Sequence, residues 1–257
     1  MSKGKGAISR QESRSKANAK SVTQANYDRL SRWYDWMAAW SERKAVQAGL
    51  DLLAASEGET ILEIGYGTGR AIEALAKAVG EFGHVDGIDI SDGMRTVAAK
   101  RIQRAGLQDR VDLLRGDATF LAAELKRNAA LPLSPSNPEG LPGETVPLTF
   151  GADSFDGVFM SFTLELFEEP EIPLLLAECR RVLKPGGRMV VVSMKKKARR
   201  NAMVKLYEWA HATFPKVVDC RPIHADRALT EAGFRVTQQT EMSLWGLPVS
   251  IVLAKVP

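Results

Sequence analysis

The residues with the clearest chemical potential stand in one short stretch, Ile61-Leu62-Glu63-Ile64-Gly65-Tyr66-Gly67-Thr68-Gly69, and at an acid further on, Asp89. A loop that passes close to a ligand cannot carry side chains, and glycine also enters the positive-φ backbone of a tight turn without steric cost. The spacing narrows the ligand. A dinucleotide fingerprint, Gly-x-Gly-x-x-Gly, needs its third glycine where this chain has Arg70; here it comes one residue early, at Gly69. A Walker loop needs a Gly-Lys-Ser/Thr ending, which is absent. Phosphate binding is therefore disfavoured. Asp89 follows the loop by 20 residues, at the end of an apolar run, where a carboxylate can accept both hydroxyls of a ribose.

Positioning these groups requires alternating strands and helices. Residues 61–64 read as a buried strand delivering the loop, and Ile72, Leu75, Ala76 and Val79 mark the apolar face of a helix ending at Gly80. A second helix, from Ser41 to about Ala55, precedes that strand. Residues 83–91 form the next strand, and Ser91-Asp92 caps the helix after it. Residues 111–115 form a third strand, followed by Gly116-Asp117-Ala118-Thr119, and 153–162 a fourth, from whose end Ser161, Phe162 and Thr163 emerge. A helix over 172–183 is closed by Lys184-Pro185-Gly186-Gly187, which turns the chain into a strand at 188–194. Residues 234–241 and 247–256 complete the sheet as a closing pair. The alternation predicts an α/β fold with a mostly parallel seven-stranded sheet, helices on both faces and an antiparallel C-terminal strand. Ligands of such sheets gather beyond the C-terminal strand ends. His84 begins its strand at the opposite edge, so no chemistry is expected of it.

The 257 residues, 45% of them hydrophobic, suffice for one sizeable core, and 24–257 is expected to be one domain. No apolar run approaches the roughly 20 residues of a bilayer span, and the N-terminus carries no signal-peptide core. Cys179 and Cys220 offer neither a disulfide framework nor metal-ligand spacing, which fits a reducing cytoplasm; no metal site is expected. Of the net charge of +4, residues 1–20 hold +5, six cations against Glu12 alone, so the remainder sums to −1. Residues 1–23 thus read as a basic tail, disordered when free. It contains no aromatic residue to stack on bases, so nucleic acid is not a favoured partner.

Between Gln24 and Trp40 the aromatics crowd: Tyr27, Trp33, Tyr34, Trp36 and Trp40, with Leu30 and Met37 at helical spacing. This predicts an amphipathic helix, either packed over the core or closing as a lid over a ligand; the aromatic helical region spans 24–56. Residues 127–149, with Pro132, Pro135, Pro138, Pro142 and Pro147, cannot form a regular element and read as an insertion. Lys195, Lys196, Lys197, Arg199 and Arg200 form a basic run at the ligand edge, a solvated face or a point of attraction for an anionic substrate or phospholipid surface.

At these residues the chain resembles the class I S-adenosylmethionine (SAM) methyltransferases. Glu63-x-Gly65-x-Gly67-x-Gly69, the strand-end Asp89, Gly116-Asp117-Ala118, Asp153-Ser154-Phe155-Asp156 and Lys184-Pro185-Gly186-Gly187 resemble that family's motifs in order. Tyr27-Asp28 and Tyr34-Asp35 resemble the N-terminal Tyr-Asp motif of the ubiquinone/menaquinone-biosynthesis methyltransferases, the nearest branch. The resemblance implies a Rossmann-like fold and SAM as cofactor, with S-adenosylhomocysteine as product. It places Glu63, Gly65, Tyr66, Gly67 and Gly69 beside the methionyl and ribose parts, Asp89 on the ribose, Ile90, Met94, Asp117 and Ala118 near the adenine, Ser161 and Phe162 near the transferable methyl, and Tyr27 over the cofactor. The two cysteines exclude a cluster held by a cysteine triplet, and with it radical use of SAM. Tyr66, the proline-rich insertion and the C-terminal segment depart from the quinone-type pattern.

Methyl transfer needs an acid/base residue only where the nucleophile carries a proton that must leave. Candidates are His211, His224 and Tyr207, with Glu165 behind them. Three readings follow: a methyltransferase acting on a small or lipid-like acceptor, with a quinol-type ring favoured; an N-methyltransferase of a phospholipid or amino-lipid head group; and a non-catalytic partner or regulator of the same fold. The oligomeric state is open, and the expected setting is cytoplasmic, with peripheral membrane contact through the tail and the basic run.

Overall fold

The computed structural model describes residues 42–116, 118, 150–195, 222–244 and 247–257. The chain divides into two units, 1–44 and 45–257, and the sheet belongs to the second. The basic tail, the aromatic segment 24–40 and the insertion at 127–149 lie outside the described residues.

Seven strands and five helices build the described fold: α1 (42–53), β1 (Thr60–Ile64), α2 (Arg70–Ala78), β2 (His84–Asp89), α3 (Asp92–Ala105), β3 (Val111–Arg115), β4 (Phe155–Ser161), α4 (Ile172–Val182), β5 (Leu183–Met194), α5 (Ala225–Glu231), β6 (Arg235–Leu244) and β7 (Leu247–Lys255). The sheet order is β3-β2-β1-β4-β5-β7-β6. β1 runs parallel to both neighbours, with Ile61 opposite Val85 on one side and Gly157 on the other. Only β7 is reversed: Val191 faces Val252 and Thr240 faces Ile251 in antiparallel ladders. This is the mostly parallel, Rossmann-like sheet that the sequence predicts.

From β1 the chain first builds outward through β2 and β3, then returns to start β4 on the other side. The loops after β1 and β4 therefore diverge, and a crevice opens between them at the C-terminal sheet edge. Two apolar layers fix the strands beneath it. On one face Ile61, Val85, Phe159 and Val190 meet Leu53 of α1, Ile72 and Leu75 of α2, and Ala98 and Ile102 of α3. On the other, Leu62, Ile64, Val158 and Met160 meet Leu175, Leu176 and Cys179 of α4 and Leu229 of α5. Because both faces are covered, the central strands read as near-continuous apolar runs rather than alternating ones.

Local chemistry sets the ends. Ser91 Oγ accepts the Met94 amide at 3.2 Å and starts α3, and Gly106, at φ 68°, closes it. The Lys-Pro-Gly-Gly turn behaves differently from a plain connector. Leu183 already pairs with Phe155, and the ladder resumes with Arg188 opposite Gly157, so the four residues bulge out between two rungs. Pro185 lacks the N–H a rung would use, and Gly186 takes φ 76°.

Candidate cofactor site

The glycine loop leaves β1 at the crevice with positive φ at all three glycines: 79° at Gly65, 50° at Gly67 and 78° at Gly69. Their reasons differ. A Cβ on Gly65 would lie 2.2 Å from Thr163 Oγ1, just beyond β4, and one on Gly69 would lie 2.8 Å from Ala98 Cβ on α3. Both are required by protein packing. Of the three, Gly67 alone faces open space, with no atom of the described residues within 4 Å of its would-be Cβ. Clearance around the backbone is thus a property of the middle glycine, and the outer two let the loop nest against α3 and the chain leaving β4.

Asp89, the last residue of β2, ties this loop down. Its Oδ2 accepts the Gly67 amide at 2.8 Å and its Oδ1 accepts the Ser91 amide at 2.9 Å. A carboxylate oxygen has a second lone pair, so two acceptors side by side remain for a pair of vicinal hydroxyls. Glu63 lies beneath the loop, fully buried, and its Oε2 has no hydrogen-bond partner among the described residues. Burial, reinforced by the Asp89 charge, pushes its carboxyl well above the usual range. A buried acceptor without a protein donor fits a donor group on a ligand. Tyr66 is buried too, its hydroxyl 3.4 Å from the Leu114 carbonyl. Gly87 makes room for it, since a Cβ there would lie 2.8 Å from the ring.

Beside Asp89 the surface turns apolar. Ile90 is 64% exposed, Met94 41% and Val97 46%, three large side chains at the β2–α3 junction that none of the described residues covers. Arg115, paired in register with Asp89, sets its Nε 3.2 Å from Asp92 Oδ2. Across the crevice β4 ends with an irregularity: Phe162 adopts φ 51°, a left-handed conformation rare for an aromatic residue, while its amide donates to Val192 O at 2.7 Å. The chain then departs into a short turn, so no β4 carbonyl is left for the Met194 amide. Glu165 supplies the acceptor through Oε1 at 3.1 Å. Its Oε2 is buried without a partner among the described residues, and burial raises the carboxyl to about 7.

Residues 62–189 match the family described as a methyltransferase domain. The chain carries a methyltransferase domain. Demethylmenaquinone methyltransferase of Bacillus subtilis is 27% identical over 165 residues, 64% of this chain and 57% of that protein. The 2-phytyl-1,4-naphtoquinone methyltransferase of Synechococcus elongatus is 30% identical over 141 residues, 55% of this chain and 48% of that protein. The chain spans about half the length of the curated relatives it matches. Among solved structures, a SAM-dependent methyltransferase from Aquifex aeolicus superimposes with a TM-score of 0.54 at 22% identity, covering 82% of this chain and 89% of the other. SAM is the cofactor of domains of this kind.

The methyltransferase domain brings Glu63, Gly65, Tyr66, Gly67, Gly69, Asp89, Ile90 and Met94 to one end of the crevice and Ser161 and Phe162 to its other wall. Ala118 is buried among the residues of the second apolar layer. Tyr27, Asp117, Tyr207 and His211 lie outside the described residues. His224 precedes α5 and lines a groove of about 240 Å³ with Glu169, Pro173 and Arg227, between the starts of α4 and α5; its described neighbours do not include the glycine loop. Val97 escaped the sequence reading, and so did the close approach of Thr163, which the sequence places at the end of the fourth strand, to Gly65. Val97 had a usable signal, three residues past Met94 on a capped helix, whereas nothing in the chain order announces that Thr163 meets Gly65.

Proposed function

We propose that this methyltransferase domain moves a methyl group from SAM to a small or lipid-like acceptor, with a quinol-type ring favoured. The observation that carries the reading is the Asp89 carboxylate, locked to the Gly67 amide at the crevice with two acceptor lone pairs to spare. In this reading Asp89 receives the ribose hydroxyls, Glu63 receives a donor from the amino-acid end, Ile90, Met94 and Val97 flank the adenine with Asp117 and Ala118, and Tyr27 closes over the cofactor. The quinol ring is favoured by the similarity to a demethylmenaquinone and a 2-phytyl-1,4-naphtoquinone methyltransferase.

When bound, SAM supplies an electrophilic methyl on a sulfonium that is already a good leaving group. The chain's own work is alignment. Holding nucleophile, methyl and sulfur in line can supply about 7–11 kcal/mol of the barrier. The crevice gives two walls for this, the glycine loop and residues 161–163, held together by the Gly65–Thr163 approach. A proton acceptor is needed only for an acceptor whose nucleophile carries a proton, and His211, Tyr207 and His224 are the residues proposed for it. The cytoplasmic setting and a peripheral membrane contact through residues 1–23 and the basic run belong to the same proposal. Lys195, the first cation of that run, is engaged by Glu241 of β6, which leaves the task to the cations after it.

The test is transfer of radiolabelled methyl from SAM into a total lipid extract, followed by separation of quinones from phospholipids. Label in the quinone fraction is the expected result. Label in the phospholipid fraction would replace the ring by an amino-lipid head group, and no label with SAM bound would leave a non-catalytic protein of this fold.

A further inference from the structure

At the opposite edge of the sheet, three side chains converge that play no part in the crevice. His84 and Asp86 are two residues apart on β2 and so point to the same face, and Asp112 on β3 stands directly opposite Asp86 in the parallel ladder. His84 Nε2 is 3.2 Å from Asp112 Oδ2 and 3.8 Å from Asp86 Oδ1. One donor atom from each residue lies within 4.8 Å of the other two. Zinc binds imidazole nitrogen and carboxylate oxygen at roughly 2.0–2.2 Å, which in a tetrahedral arrangement sets donors roughly 3.4 Å apart. Two of the three separations already bracket that value.

Like charges directly opposite on neighbouring strands repel, and the His84 Nε2 contact at 3.2 Å relieves Asp112 more closely than Asp86, which stands 3.8 Å away. The side chains are also reachable, being 36% exposed at His84, 17% at Asp86 and 67% at Asp112. We propose that His84, Asp86 and Asp112 form a binding site for a divalent transition-metal ion of the zinc type, completed by water. One imidazole and two carboxylates, without a thiolate, suit such an ion better than Cu(I). The site lies at the start of β2 and Asp89 at its end, roughly 16 Å away at the rise of a strand. The ion is therefore no participant in methyl transfer. It clamps the edge strand β3 to the strand that carries Asp89. The sequence reading assigned His84 no chemistry, because the third ligand arrives from another strand and only the register brings it there.

The experiment is a zinc titration of tag-free, chelator-stripped protein by calorimetry, with melting temperature measured in parallel. One saturable equivalent of zinc and a higher melting temperature are expected. Asp112→Asn changes an exposed group and should abolish both effects while raising the melting temperature of the metal-free protein, since one of the opposed charges is gone; His84→Ala should also abolish binding. Absence of saturable binding, or binding that survives either substitution, would overturn the site and leave His84–Asp112 as a plain hydrogen bond.

Discussion

Asp89 accepts two backbone amides and, in the proposed reading, two ribose hydroxyls, so its replacement acts on the loop and the ligand together. Asp89→Asn keeps one acceptor oxygen and should weaken SAM binding by about 10- to 100-fold, an order of one to three kcal/mol for lost charged hydrogen bonds; equilibrium binding measures it. Glu165 makes a prediction of the opposite kind. Its carboxyl is held at about 7 against 4.5 in the open chain, through burial first. The folded state therefore binds the extra proton, and stability from this group is present below about pH 4.5 and lost as pH rises through 7. Glu165→Gln keeps an oxygen for the Met194 amide and has no charge to bury. It should be more stable than the parent at pH 8 by roughly 3 kcal/mol, at 1.36 kcal/mol per unit, and about equal at pH 4.5; denaturant melts at the two pH values decide.

Among the elements, the loop after β1 separates packing from ligand clearance. Gly65→Ala meets Thr163 at 2.2 Å and a left-handed backbone, and should cost about 3 kcal/mol, from overpacking and the αL penalty together. Gly67→Ala meets nothing within 4 Å and should cost about 1 kcal/mol for its φ alone, while losing SAM affinity; comparing urea midpoints with binding separates the two effects. Arg188 on β5 ties α1 to the sheet. Its guanidinium reaches the Leu53 carbonyl at 2.5 Å, the Ala54 carbonyl at 2.9 Å and the Glu59 carboxylate at 2.7 and 2.8 Å. Arg188→Ala should lower stability by about 2 kcal/mol. That interaction runs across more than a hundred residues of sequence, and no local pattern marks it.

The same contrast holds for the whole molecule. The order of strands and helices was legible because each carries its own local signal: the apolar run 61–64, the Ser91 cap, the Pro and Gly residues at 185–187. The crevice at the C-terminal strand ends was legible because acids and glycines stand where those runs end. What sequence could not supply depends on juxtaposition across strands: Thr163 under Gly65, Asp112 beside His84, Glu165 beneath the Met194 amide. The Lys-Pro-Gly-Gly segment shows the boundary case, its turn chemistry readable and its bulge visible only once Leu183 is seen paired with Phe155.

The most direct measurement is calorimetric titration of the full chain with SAM, beside Asp89→Ala. Micromolar binding, about −8 kcal/mol, is expected for the parent and no measurable binding for the variant. No binding below about 1 mM, or equal affinity in the two proteins, would contradict a cofactor site built on Asp89 and the glycine loop.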